Sequence, residues 1–231
     1  MRARDVVGSK PVESALIPDR VVHARHLEEV TMKHAELLQL VEAELARRGL
    51  RSPHEIVGRV ENALQRSSRE IQVAFVLNAA LRILARRSTS ENRALVAPLE
   101  GARDACESGQ PIGVSVSDLR AMVAAFDGDW LHTNDLGCEA TALAVRALRD
   151  ADREALAGLA CLLFDAASDD PVDHPPILDA PATLLSLADR HGRAEVQEEG
   201  AKLEAIIRLL ECGAPVGEIA AGLRAWGVWE G

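Results

Sequence analysis

Apolar residues recur along most of this chain at intervals of three and four, the period of an amphipathic helix rather than of a strand. From Val22 to Arg48 the positions Leu27, Val30, Leu37, Leu38, Val41 and Leu45 form one stripe, which Gly49 closes. Ser52-Pro53-His54-Glu55 pairs a capping box with proline at the first helical position and starts a second helix that runs to about Ser67. Ile71 to Ala85 is apolar on nearly every side, interrupted by Gln72, Asn78 and Arg82 and flanked by Arg69, Glu70, Arg86 and Arg87. A helix without a polar face belongs at the centre, so Phe75, Leu77 and Leu81 should be buried and Asn78 hydrogen-bonded.

Ser88-x-x-Glu91 can cap the next helix, which Pro98 should kink or restart before Gly109 ends it. Further helices are predicted near 118–126, 136–149, 152–167, 182–190, 193–212 and 215–225, with His191-Gly192 and Gly213 as breaks. In the 193–212 helix, Val196, Leu203, Ile206, Ile207 and Leu210 make a narrow seam toward the body or a second copy, with Glu198 and Glu199 expected opposite. The fold class is therefore all-α: a multi-helix bundle or short α-solenoid-like body with a C-terminal helical appendage. Residues 1–20 read as a loosely ordered arm, 21–168 as the helical body and 182–231 as the C-terminal subdomain. Between them, 169–181 carries Pro171, Pro175, Pro176 and Pro181 and reads as a linker or long loop.

Composition narrows the functional classes. The chain has 231 residues, no Tyr, and a formal net charge of -10, which opposes attraction to phosphate and makes nucleic acid and anionic membrane poor partners. Lys10, Lys33 and Lys202 are the only lysines, an arginine bias that we read as GC-rich, bacterial coding rather than as guanidinium chemistry. Cys106, Cys138, Cys161 and Cys212 lack metal or redox spacing and are expected to be reduced and buried. With no apolar leader and no ~20-residue uncharged apolar run, a cytoplasmic protein is expected.

Candidate chemistry is sparse. The loop Phe126 to Glu139 gathers Asp127, Asp129, His132 and Asp135, oxygen and imidazole donors that could hold a metal, although the spacing misses the calcium-loop pattern. Thr133, Asn134 or Asp135 can equally cap the following helix. His23, His26 and Glu29 share one arc of the first long helix, and Asp169, Asp170, Asp173 and His174 cluster in the proline-rich loop; a solvated face and a surface turn account for both. Trp226 and Trp229 are candidate binding residues, since tryptophan is favoured at interface hot spots, and docking on the protein's own body is the competing fate. No nucleophile, nucleotide or dinucleotide motif is present, so no enzymatic activity and no cofactor are expected.

The C-terminal stretch Leu209-Leu210-x-x-Gly213-x-x-x-x-Glu218-Ile219-Ala220-x-x-Leu223 resembles the first two helices of helix-turn-helix regulators. That resemblance implies a recognition helix after the second turn, where only Trp229, Glu230 and Gly231 follow Val228, so no base-reading element is expected. The leading expectation is a non-enzymatic helical interaction module, an adaptor or an immunity- or antitoxin-like binder, which takes a basic protein partner stoichiometrically through its acidic surface. A helix-turn-helix-related regulator is the alternative, and a metal-assisted hydrolase built on Asp127 to Glu139 the third. A homodimer through the C-terminal helices is the expected oligomer.

Overall fold

Helix α2, Arg69–Arg86, sits at the centre of the packing. The computed structural model describes residues 36–87, 89, 92–110, 116–121, 135–150, 152–168 and 180–227, and every regular element among them is helical. The chain divides into two compact units, Met1–Leu40 and Val41–Gly231; residues 36–40 of the first are described and are helical. Within the second, α1 (Pro53–Gln65) precedes α2, and a 3-10 turn (Asn92–Leu95) leads into α3 (Val96–Glu107). Helices α4 (Leu136–Asp150), α5 (Arg153–Ala167), α6 (Ala180–His191), α7 (Ala194–Glu211) and α8 (Val216–Gly227) follow.

The local signals act as their chemistry requires. Ser52 Oγ accepts the Glu55 amide at 3.3 Å with Pro53 opening α1, and Pro98 falls in the first turn of α3, where its missing N–H costs nothing. Gly213 ends α7 at φ 68°, the left-handed conformation that lets Ala214 N–H reach back to Leu209 O at 3.1 Å. In α2, Phe75 and Leu77 are fully buried and Leu81 is 7% exposed, as the apolar pattern demands. Full burial of such side chains is worth about 1.5–3 kcal/mol each.

Helix α2 packs against α3, α4, α5 and α8, while α7 lies on α1, α5 and α8. The C-terminal helices α7 and α8 thus share the core of the body: Val196, Leu203, Ile206, Ile207, Ile219, Leu223 and Trp226 all join the same buried cluster. Most of the 169–181 stretch and the 1–20 arm lie outside the described residues. Gln197 fastens α7 to the entrance of α1 in sheet-like fashion, accepting from Arg51 N at 2.8 Å and donating to Arg51 O at 2.9 Å. At the start of α4, a Cβ on Gly137 would sit 2.4 Å from Asn92 Nδ2 and 2.6 Å from Leu84 Cδ2, so the α4–α2 approach depends on glycine. The cysteines depart from expectation: Cys138 is buried, Cys106 half-buried, and Cys161 and Cys212 exposed, because the last two fall outside the apolar seams of α5 and α7.

Among the described residues, His191, in the last turn of α6, is a titratable group through which this packing responds to mild acid. Burial, and secondarily Arg190, push its imidazole below its ordinary value, and its Nδ1 has no hydrogen-bond partner. A histidine depressed in the fold contributes stability that is complete above its unfolded value near 6.5 and is lost as pH falls below it, because the unfolded chain takes the proton first. Denaturant unfolding at pH 7.5 and 5.5 should show a loss of stability that is smaller in His191→Gln.

Candidate functional site

Two of the polar residues that interrupt α2, Asn78 and Arg82, lie at one buried centre. Phe75, Asn78, Arg82 and Arg86, at steps of three and four, lie along a single stripe of the helix. Opposite them stands Glu199 of α7, which has no solvent exposure. Arg82 grips it in a fork, Nε to Oε1 at 2.8 Å and Nη2 to Oε2 at 2.7 Å, while Arg86 Nη2 donates to Oε2 at 2.8 Å. The indole Nε1 of Trp226 donates to Glu199 Oε1 at 3.0 Å. Both carboxylate oxygens therefore carry charge-assisted or indole hydrogen bonds, the condition under which a buried charge is tolerated.

Trp226 closes the centre from the α8 side. Its ring stacks on Phe75 with centroids 5.7 Å apart, the Arg82 guanidinium lies 5.6 Å from its centroid, and its carbonyl accepts from Arg82 Nη1 at 2.6 Å. Burial, partly offset by Glu199, holds the Arg86 guanidinium below its ordinary value. Asn78 is satisfied on one side, its Nδ2 donating to Ala74 O at 2.8 Å, whereas its buried Oδ1 has no hydrogen-bond partner and faces Gly227. With both oxygens of Glu199 engaged and no surface of it exposed, the centre bridges α2, α7 and α8.

A second polar cluster joins the 3-10 turn to α4. Asp135 Oδ1 caps α4 by accepting from Gly137 N at 2.9 Å and Cys138 N at 3.0 Å, and also from Asn92 Nδ2 at 3.0 Å. Asn92 itself is fully buried; its Nδ2 also donates to Arg87 O at 2.8 Å and its Oδ1 accepts from Thr89 N at 2.8 Å.

The structure thus places Asp135 at a helix cap, and the other candidate ligands Asp127, Asp129 and His132 lie outside the described residues. Among the described residues no three His, Cys, Asp or Glu side chains converge, and no helix is long and apolar enough to cross a membrane. Trp226 is 6% exposed and docks on its own body, while Trp229 lies outside the described residues. The shallow groove of about 540 Å³ between α1 and α7 is lined by Arg59, Asn62, Arg66, Leu210 and Glu211, with Arg59 already paired to Glu211 at 3.1 Å.

Glu199 corrects the expectation that it faces away from the α7 seam. From Val196 it lies about 300° around the helix, between Ile206 at ~280° and Leu203 at ~340°, which is inside the apolar stripe. Its position in the seam was the available signal, as were the breaks in α2 at Gln72, Asn78 and Arg82, since polar groups on an all-apolar helix must find buried partners.

Comparison with known proteins finds no family model that matches the chain, and no curated protein or solved structure significantly similar to it.

Replacing Trp226 by Ala removes a stacked ring, a donor to Glu199 and a face for Arg82, and should destabilise the isolated protein by ~3–5 kcal/mol. Trp226→Phe keeps the stack but leaves Glu199 one donor short, with an expected loss of about 1–3 kcal/mol. Denaturant unfolding of the free protein measures both.

Proposed function

We propose that this chain is a non-enzymatic helical module that binds a basic protein partner stoichiometrically through an acidic surface. The supporting observation is the outer face of α3, where Glu100, Asp104 and Glu107, spaced four and three apart, are all exposed. Within α3 itself the sole cation is Arg103, which lies 3.7 Å from Asp104, and Arg224 of α8 pairs with Glu107. Glu70, at the start of α2, adds to this field: with burial as the larger cause, it and Glu107 push the Cys106 thiol up. The overall charge of -10 has the same sign as this face.

The division of labour between interior and surface carries the same reading. Arg82, Arg86, Glu199, Asn92 and Asp135 are engaged in holding helices together. Glu100 and Asp104, by contrast, stand in solvent, where they steer an encounter and set its salt dependence rather than supply packing.

The test is affinity capture from the native host by the wild type and by Glu100→Lys/Asp104→Lys, with stoichiometry read by mass spectrometry. The proposal expects a basic partner bound one-to-one by the wild type, at least ~10-fold weaker capture by the reversal, and weakening by salt in the wild type. The unfolding midpoint should not change, because both side chains are exposed. A partner held equally by both proteins would contradict it.

A further inference from the structure

The cluster at the heart of the body has an unusual make-up for a place that an apolar seam could fill. Arg82, Arg86 and Glu199 bring two guanidiniums and one carboxylate into a site with essentially no solvent, at the junction of α2, α7 and α8. Further negative charge comes from Glu198, which acts on Arg86, and from the carbonyl end of α8, which presents Trp226 O to Arg82 Nη1 at 2.6 Å. Buried ion triads of this kind seldom exceed in stability the apolar side chains that could replace them. We infer that the Arg82–Glu199–Arg86 cluster, read by the dipeptide Trp226-Gly227, is a register key that fixes where the C-terminal helix docks along α2.

The apolar face of α8 cannot fix that register alone. Ile219, Leu223 and Trp226 repeat at four and three residues, so a slip by one turn lays apolar on apolar again. The polar stripe of α2 does not tolerate the slip. Phe75 stacks on the Trp226 ring, Glu199 accepts its indole N–H, and Arg82 donates to its carbonyl. Asn78 completes the selection: a Cβ at position 227 would lie 2.4 Å from its Oδ1 and 3.0 Å from its Cβ, so only glycine fits there. A slip of three residues would bring Leu223 and Arg224 to these places, and a slip of four Gly222 and Leu223. Each puts a side chain where glycine is required and leaves Glu199 without its indole donor. Trp followed by Gly occurs once in the chain, at 226–227.

The experiment compares the wild type with Glu199→Gln and with the apolar triple variant Arg82→Met/Arg86→Leu/Glu199→Leu. Amide hydrogen exchange, the indole N–H resonances and denaturant unfolding are the readouts. The wild type should give one indole resonance for each of its three tryptophans. Glu199→Gln should speed exchange of the 216–227 amides by at least ~10-fold relative to those of α4 and α5, because local opening is read separately from global unfolding. The triple variant should keep or raise its unfolding midpoint while giving extra indole resonances from α8 in more than one register. A triple variant with a single set of resonances and wild-type protection of 216–227 would overturn the inference. So would a triple variant that does not fold, which would make the cluster a net source of stability, or a Glu199→Gln loss spread evenly over all helices.

Discussion

Every helix ends in carbonyls that no further turn can satisfy, and in this fold the ends of several helices converge on one neighbour. Polar side chains of α2 meet them one by one. Gln72 donates to Leu64 O of α1 at 3.0 Å, and Arg69 donates to Ala147 O at 2.7 Å and Leu148 O at 2.5 Å in the last turn of α4. Arg82 takes Trp226 O of α8, and Arg87, the residue that caps the end of α2, takes Ser168 O at the end of α5. A cation at a helix C-terminus is favoured by the macrodipole, and the favour grows where water is excluded. The central helix thus carries polar or cationic donors where its neighbours end.

That arrangement explains why the interior holds charge. Arg82 reaches the α8 carbonyl from a fully buried position, and a buried guanidinium needs a carboxylate, which Glu199 supplies from α7. Arg86 and the Trp226 indole then fill the acceptor sites left on Glu199. Removing any one member strands another in a low-dielectric site, where the loss for a broken buried pair is typically ~3–5 kcal/mol. The surface proposed for binding is separate from this interior: Glu100 and Asp104 of α3 are exposed, on the far side of that helix from Leu99 and Ala102, which are fully buried.

Much of the fold was legible because local chemistry and tertiary packing agree. Ser52-Pro53 starts α1, Gly213 ends α7, and the apolar run from Ile71 to Ala85 identified the central helix with its buried Phe75 and Leu77. The polar centre was not legible, for two physical reasons. Glu198-Glu199 looks like a solvated acidic doublet, and only the helical phase separates Glu198, ~120° off the seam centre, from Glu199 within it. The arginines look like a coding bias, whereas Arg69, Arg82 and Arg87 are set where helix ends arrive, a fact of the tertiary fold that no local window contains. For the same reason Asp135 was visible as a cap or a ligand, and its bonds to Asn92 across 43 residues were not.

The central claim is that side chains of α2 hold the ends of the helices around it. It is tested most directly by residue-resolved hydrogen exchange on Arg69→Met and Arg87→Met. The account predicts that Arg69→Met loosens the last turn of α4 alone and Arg87→Met the last turn of α5 alone, with α2 itself still exchanging only through global unfolding. Protection lost evenly over the whole chain in both variants, or unchanged at both helix ends, would contradict it.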